Sequence, residues 1–455
     1  MDNRDARVSM VTDVRTCGSR QPAVCDRSCT DENGRHLSTH DVNPTPRGIA
    51  RHGQLPKPSP WARVLQLVAV AAAVALVSGT SIAAIAVEHL FTAPRVVPLD
   101  PTKPEAKPPT IGAYPKGYNL LLVGNDTRVG QNGIGGVDEG ARNDVTILLH
   151  VSADHSSAIA VSFPRDMIVP QPSCTDADGG VYPAVGAAMM NESLASGGLA
   201  CTAKSVESLT GLKVQFAGLI TFRGVIEMSN AVGGVPVCTT GPINDSDSGL
   251  HIKKAGITKL KGEQALAFLR TRHGIGDNSD LARISAQQVF MSSLVRTLKS
   301  KETLTDIPKL YNIAAAATNN MTLSSSLAHP DAMVAIAQSL ADVPLDKVFF
   351  AQYPNTTALG GIYENRVAPV ADKANELFAV LRSDKPYTLG ATKTSRGSVD
   401  STAKPTSKPT KKPTGTSTPR ATKTPTTTSK PTKKPSVIDD IDGGRGDQVK
   451  CVKAN

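Results

Sequence analysis

The run VTILLHVSADHSSAIAVSFPRD (residues 145–166) decides the architecture. Two apolar, β-branched stretches, VTILLHVS and AIAVSFP, flank the turn ADHSS. That length and spacing predict an antiparallel hairpin. Upstream, YNLLLVG (118–124) reads as another buried strand ending in a Gly-Asn-Asp turn, and the glycine-rich VGQNGIGGVDEGARND (129–144) joins it to the hairpin. Downstream, AVGAAMMNESLASGGLACTAKSVESLTGL (184–212) reads as helix interrupted by glycine. VQFAGLITF (214–222) alternates as a strand, and FRGVIEMSNAVGG (222–234) is an amphipathic helix closed by glycines. GEQALAFL (262–269) and LARISAQQVFMSSLVRTLKS (281–300) continue as helices, and KVFFAQY (347–353) as a strand. Strands interleaved with helices predict an α/β layered domain.

Outside that domain the composition changes. Val64–Val87 has 24 residues without a charge, about 36 Å as a helix and enough to cross a bilayer. Arg47, Arg51, Lys57 and Arg63 precede it, whereas Glu88, His89, Arg95 and Asp100 follow. The positive-inside rule then places the N-terminus in the cytoplasm and the domain outside, as a single-pass membrane protein. The expected organisation is a cytoplasmic disordered tail (1–63), a transmembrane helix (64–87), a proline-rich linker (88–117), a folded domain (118–390, core 118–300) and a low-complexity Thr/Lys/Pro tail (391–455). The net charge of +10 suggests nucleic acid, but nine Lys/Arg and no acid fall within Ser401–Ser436, leaving the rest near neutral. No basic binding face is implied, and nucleic acid is not an expected partner.

Cys174, Cys201 and Cys238 fall on the external side, where a disulfide persists. Cys174 and Cys201 flank one loop-plus-helix excursion and are the preferred pair, with Cys238, in GVPVC, expected as a buried thiol. Cys25-x3-Cys29 lacks the second ligand pair that a zinc site requires.

The charged residues gather at strand and helix ends. Asp126 follows the first strand, Asp144 opens the second and Arg165 closes the third. Two aspartates from neighbouring strands would suit a hard cation such as Mg²⁺, completed by phosphate oxygens. In FLRTRH, Arg270 and Arg272 face the same way if the chain leaves the helix extended, and Arg283 lies near the start of the next helix with Gln287 one turn on. Any one of these arginines could form only a surface ion pair. Four beside two candidate metal ligands point to a polyanion, best a pyrophosphate. His273 fits a hydrogen-bonded structural role better than proton transfer.

The segments LLLVGNDTR, ARNDVTILLHV, VSFPRD, FAGLITFRGVIEMSNAVGGV, LKGEQALAFLRTRHG and SDLARISAQQ, in this order, resemble the LytR-CpsA-Psr (LCP) family of extracytoplasmic wall-assembly enzymes. The resemblance implies a three-layer α/β/α sandwich with a pocket for a polyprenyl chain. It implies a phosphotransferase that moves a phospho-linked glycopolymer from a polyprenyl-pyrophosphate carrier onto peptidoglycan, in a Gram-positive bacterium. By position, Asp126 and Asp144 would bind Mg²⁺, and Arg142, Arg165, Arg270, Arg272, Arg283 and Gln287 would bind or activate the pyrophosphate. Arg165 would stabilise charge on the transferring group, and either Asp144 or Asp280 would be the base for the acceptor, a muramic acid 6-hydroxyl. Ala286 stands where the family often has arginine, and the loop Val129–Ala141 is long. Other readings are a hydrolase of the same lipid diphosphate, a noncatalytic wall-binding or scaffolding protein suggested by the Lys-Pro-Thr repeats, and a transcriptional regulator. The last lacks any helix-turn-helix pattern in residues 1–60.

Overall fold

The computed structural model describes residues 60–92, 95–103, 114, 117–125, 142–357, 359–390, 397–401, 436–439 and 441–455. Its centre is a mixed sheet built on the hairpin of the opening motif. β1 (Arg95–Val97) lies at one edge, β2 is Tyr118–Asn125, and the hairpin is β3 (Asn143–Val151) and β4 (Ala158–Phe163). Across the eight-stranded sheet the order is β1, Met321–Ser324, Phe216–Ile220, β2, β3, β4, Val348–Gln352 and Gly443–Arg445. β2–β3 and β3–β4 are antiparallel, with Leu121 opposite Leu148 and Leu148 opposite Val161. Phe216–Ile220 runs parallel to β2, and Val348–Gln352 parallel to β4.

The pleat sends alternate side chains to opposite faces. Leu121, Val123, Leu148 and Val161 enter one core, with Val206 of α2 (Gly198–Thr210) and Phe378 of the helix Ala371–Arg382. Tyr118, Leu120, Val151 and Phe350 enter another, with Ile336 of the helix Pro330–Asp342. A third core forms between a four-stranded sheet and two helices, α4 (Glu263–Arg270) and α5 (Asp280–Leu298). That sheet runs Gly256–Leu260, Val235–Thr239, Lys450–Val452, Ser398–Asp400. α3 (Phe222–Ala231) begins at Thr221, whose side chain accepts from the Gly224 amide, as N-capping residues do. Gly224 lets α3 approach the helix Ile307–Asn320 closely: a Cβ there would stand 2.9 Å from the Asn320 carbonyl oxygen.

The helix expected around residues 64–87 lies within α1 (Pro60–Thr92), 33 residues long. Its stretch Arg63–Ser81 has mean hydropathy 2.0 and is the one helix among the described residues long and apolar enough to cross a membrane.

Three expectations need correction. The first half of 184–212 is not α-helical: Val185–Met189 pairs antiparallel with Ile168–Gln171, a single 3-10 turn follows at Met190–Glu192, and the α-helix starts only at Gly198. Gly186 weakens a helix there, and the partner strand satisfies its backbone instead. The domain also does not stop at 390. Ser398–Asp400, Gly443–Arg445 and Lys450–Val452 are strands of the two main sheets, so only part of 391–455 can be a low-complexity tail. Composition averaged over that span hides short strands at its ends. The same finding corrects the thiol assigned to Cys238, which is disulfide-bonded to Cys451. Cys174 and Cys201 form the other disulfide.

The Cys238–Cys451 bond closes a sequence separation of 213 residues. Replacing both cysteines by alanine should lower unfolding free energy by about 2–5 kcal/mol. Urea denaturation checks this, and an unchanged midpoint would mean that strand pairing alone holds Lys450–Val452.

Candidate functional site

The register of the hairpin assembles the first part of the site. Thr146 opposite Phe163 sets the start of β3 beside the end of β4. Asp144, near that start, and Arg165, two residues past β4, therefore meet: Arg165 Nη1 donates to Asp144 Oδ1 at 2.5 Å. Asn125 opposite Asn143 brings the end of β2 to the same edge.

α5 supplies the second part. Ser279 caps it by accepting from the Ala282 amide at 3.1 Å, which sets Asp280 in the first turn and Arg283 one turn on. Arg283 Nη2 lies 2.5 Å from Asp280 Oδ1, and Arg283 Nη1 lies 3.9 Å from Asp144 Oδ1. Arg165 Nε approaches Asp280 Oδ1 at 3.6 Å and Asp166 Oδ1 at 3.5 Å. The third part is the end of α4. Arg270 is its last residue, and its guanidinium carbon sits 4.8 Å from the Phe222 ring centre, within cation–π range. Thr271 turns the backbone to extended geometry, φ −57° and ψ 133°. Arg272 then reaches Asp280 Oδ1 at 3.7 Å.

Arg283 and Asp280 are 5% and 9% exposed at the side chain, so water does little for either charge. Their contact is an ion pair without hydrogen-bond alignment. Both oxygens of Asp280, Nε and Nη2 of Arg283, and Nε of Arg165 are buried without a hydrogen-bond partner. Such groups cost roughly 1–3 kcal/mol each, more when charged. Five in one place mark either stored instability or a site for a polar ligand. Burial pushes the Asp280 carboxyl above its usual value of 3.8 despite Arg283, and burial lowers the Arg283 guanidinium despite Asp280. Burial also works against the charge on Arg165, but Asp144, Asp166 and Asp280 outweigh it and hold its proton more tightly.

Beside this cluster lies a mainly apolar pocket formed by Val145, Ile220, Phe222, Val225, Leu266 and Leu269. Asp144, Arg270, Arg283 and Gln287 line it too. Gln287 donates to the Leu269 carbonyl at 3.0 Å, tying α5 to the end of α4.

The structure thus brings together Asp144, Arg165, Asp280 and Arg283 with Arg272, and sets Arg270 and Gln287 around the adjoining pocket. Arg142 stands exposed one residue before β3. Asp126 lies outside the described residues. Two residues were missed. Asp166 contacts Arg165, and Arg366 Nη1 lies 3.9 Å from Asp166 Oδ1. Asp166 was visible in VSFPRD, but Arg366 is two hundred residues away in a stretch with no pattern. His273 Nδ1 faces Asp247 Oδ2 at 3.0 Å, away from the cluster.

Asp280 yields a pH prediction. A carboxyl with a raised folded-state pKa contributes stability below its unfolded value near 3.8, and this contribution is lost as pH rises through the folded value. Carbon-13 NMR should find Asp280 titrating above 3.8, and Arg283→Met should raise it further by removing the nearest cation. A midpoint at or below 3.8, or a downward move in the variant, would contradict this electrostatic account.

Residues 99–381 match the model of the LytR_cpsA_psr family. The chain is 30% identical over 279 residues to the cell wall biosynthesis protein LcpA of Corynebacterium glutamicum, covering 55% of this chain and 53% of that protein. It is 28% identical over 215 residues to the polyisoprenyl-teichoic acid–peptidoglycan teichoic acid transferase TagT of Bacillus subtilis, covering 46% and 61%. The match thus spans about half to three-fifths of these relatives' length. Among solved structures, a LytR-Csp2A-Psr enzyme from Actinomyces oris has a TM-score of 0.48 at 20% identity, covering 64% of this chain and 96% of that one. With the matched segment running from the stretch before β2 to the helix Ala371–Arg382, and so enclosing Asp144, Arg165, Asp280 and Arg283, the chain belongs to the LytR_cpsA_psr family.

Proposed function

We propose that this protein is a phosphotransferase that moves a phospho-linked glycopolymer from a polyprenyl-diphosphate carrier onto peptidoglycan, using an α/β/α layered domain. The carrying observation is the set of buried, unpartnered polar atoms on Arg165, Asp280 and Arg283, beside an apolar pocket that Arg283 and Asp144 help to line. A diphosphate would give these guanidiniums their missing acceptors, in charge-assisted bonds of roughly 1.5–3 kcal/mol each. The apolar wall suits the adjoining lipid. The transferase name of the Bacillus subtilis relative agrees with this reading.

In the proposed reaction the acceptor hydroxyl oxygen bonds to the glycopolymer-bearing phosphorus. The bond from that phosphorus to the bridging oxygen breaks, and polyprenyl phosphate leaves. Asp280 is favoured as the base: burial raises its proton affinity, and its contacts with Arg283, Arg165 and Arg272 lack hydrogen-bond alignment, whereas Asp144 accepts a hydrogen bond from Arg165. Arg165, Arg272 and Arg283 hold the diphosphate and stabilise charge developing on its oxygens. Asp144, at the sheet edge where β2 ends one residue before Asp126, fits a site of one or two carboxylates completed by phosphate oxygens. When bound there, Mg²⁺ would neutralise phosphate charge. α1 would anchor the domain to the membrane that carries the donor, with the N-terminus cytoplasmic and the domain outside.

The test incubates the full chain in detergent, with Mg²⁺, labelled polyprenyl-diphosphate oligosaccharide and peptidoglycan fragments. Label should join peptidoglycan through a phosphodiester, with the rate falling roughly 100-fold or more in Arg165→Ala. Free phospho-oligosaccharide alone would replace this reading with the hydrolase. Intact donor throughout would favour a noncatalytic wall-binding role.

A further inference from the structure

The loop from Arg272 to Asp280 carries a site residue at each end, yet only Ile275 anchors it in a core. Gly274 (φ +81°), Gly276 (φ +53°) and Asn278 (φ +61°) give it a left-handed path outside both helices and both main sheets. Its position is set from two sides. On one side Asp245 Oδ2 accepts from the Arg272 amide at 3.3 Å, and the Ser248 and Thr271 hydroxyls meet at 2.6 Å. On the other side lies the segment Lys453–Asn455. Gly276 N donates to the Lys453 carbonyl at 3.0 Å, and Asn455 N donates to the Gly274 carbonyl at 3.1 Å. Asn455 Nδ2 donates to Asn278 Oδ1 at 2.9 Å, and Ile275 pairs antiparallel with Ala454.

The segment is itself anchored. Ala454 N donates to Thr240 Oγ1 at 3.0 Å, Lys453 N donates to the Gly397 carbonyl at 3.0 Å, and Cys451 is bonded to Cys238. Gly397 packs directly on α5, with no room for a Cβ against the Ala282 carbonyl, one residue before Arg283. Gly397, Cys451 and Lys453–Asn455 lie beyond 381, where the family match ends, whereas their partners Cys238, Thr240 and Ala282 lie within it.

We infer that Lys453–Asn455 is a positioning element for diphosphate recognition, setting the backbone of the 272–280 loop and so aiming Arg272 and Asp280 at the ligand. The inference rests on the diphosphate reading of the site. The segment touches no ligand itself; it acts through the loop. Because two of the three hydrogen bonds are to loop backbone groups, at Gly276 and Gly274, their loss shifts the path between α4 and α5 without disturbing either helix. A misplacement of about 1 Å is enough to cost roughly 100-fold in a well-aligned site.

Deleting Lys453–Asn455 tests this, because the strand Lys450–Val452 and the Cys238–Cys451 bond remain. Amide exchange in the full chain should speed up at Gly276 and its neighbours while α5 beyond Arg283 stays protected. Binding of geranylgeranyl diphosphate should weaken roughly 10- to 100-fold. Arg272→Ala should weaken binding in the intact chain but add little in the deletion variant, a non-additivity that general destabilisation does not produce. Unchanged exchange in the loop overturns the inference, as does undiminished diphosphate binding or fully additive losses. If the intact chain binds no diphosphate, the site reading fails, and the exchange result alone decides whether the segment sets the loop.

Discussion

The site turns on an ion pair that the protein leaves incomplete. Arg283 and Asp280 are buried side by side on the first turn of α5, at 2.5 Å, without hydrogen-bond alignment. Desolvating two charges costs several kcal/mol per ion, which mutual attraction returns only when the remaining donors and acceptors are satisfied. Here Arg165 and Arg272 crowd the same carboxylate without satisfying it. Arg165, Arg272 and Arg283, with Arg366 and Arg270 beside them, outnumber the carboxylates Asp144, Asp166 and Asp280 and leave cationic donors in excess. On the proposed reading, a phosphate anion is their complement.

Strand register, a helix cap and one side-chain tie bring these groups together. The β3–β4 register delivers Asp144 and Arg165, the Ser279 cap sets the first turn of α5, and the extended exit at Thr271 sends Arg272 towards Asp280. Gln287 then ties α5 to α4 through the Leu269 carbonyl. Ala286 is 1% exposed and packs in the core between the two helices and the four-stranded sheet.

The hairpin, β2, α3, α4 and α5 were legible because their periodicity is local: a strand or helix face shows in consecutive residues. The arginines were legible because guanidiniums clustered after a helix end have few structural uses. Arg366 and the 450–455 segment were not, since their roles depend on contacts across 200 or so residues that leave no local trace. Cys451 was hidden for the same reason: its partner is 213 positions away, and the lysine- and threonine-rich residues before it dominate the composition. The strand Val185–Met189 was misread because its alanines suit a helix and only its partner at Ile168–Gln171 makes it a strand.

The most direct test of the incomplete pair is the melting temperature of the intact chain with and without geranylgeranyl diphosphate, beside Arg283→Met. A ligand at 100 times its dissociation constant adds about 2.7 kcal/mol to the folded state. The intact protein should melt several degrees higher with the ligand, while Arg283→Met, folded at its own melting temperature, should lose most of that rise. No rise in the intact protein, or an equal rise in both, would contradict the claim that the buried arginine awaits a diphosphate.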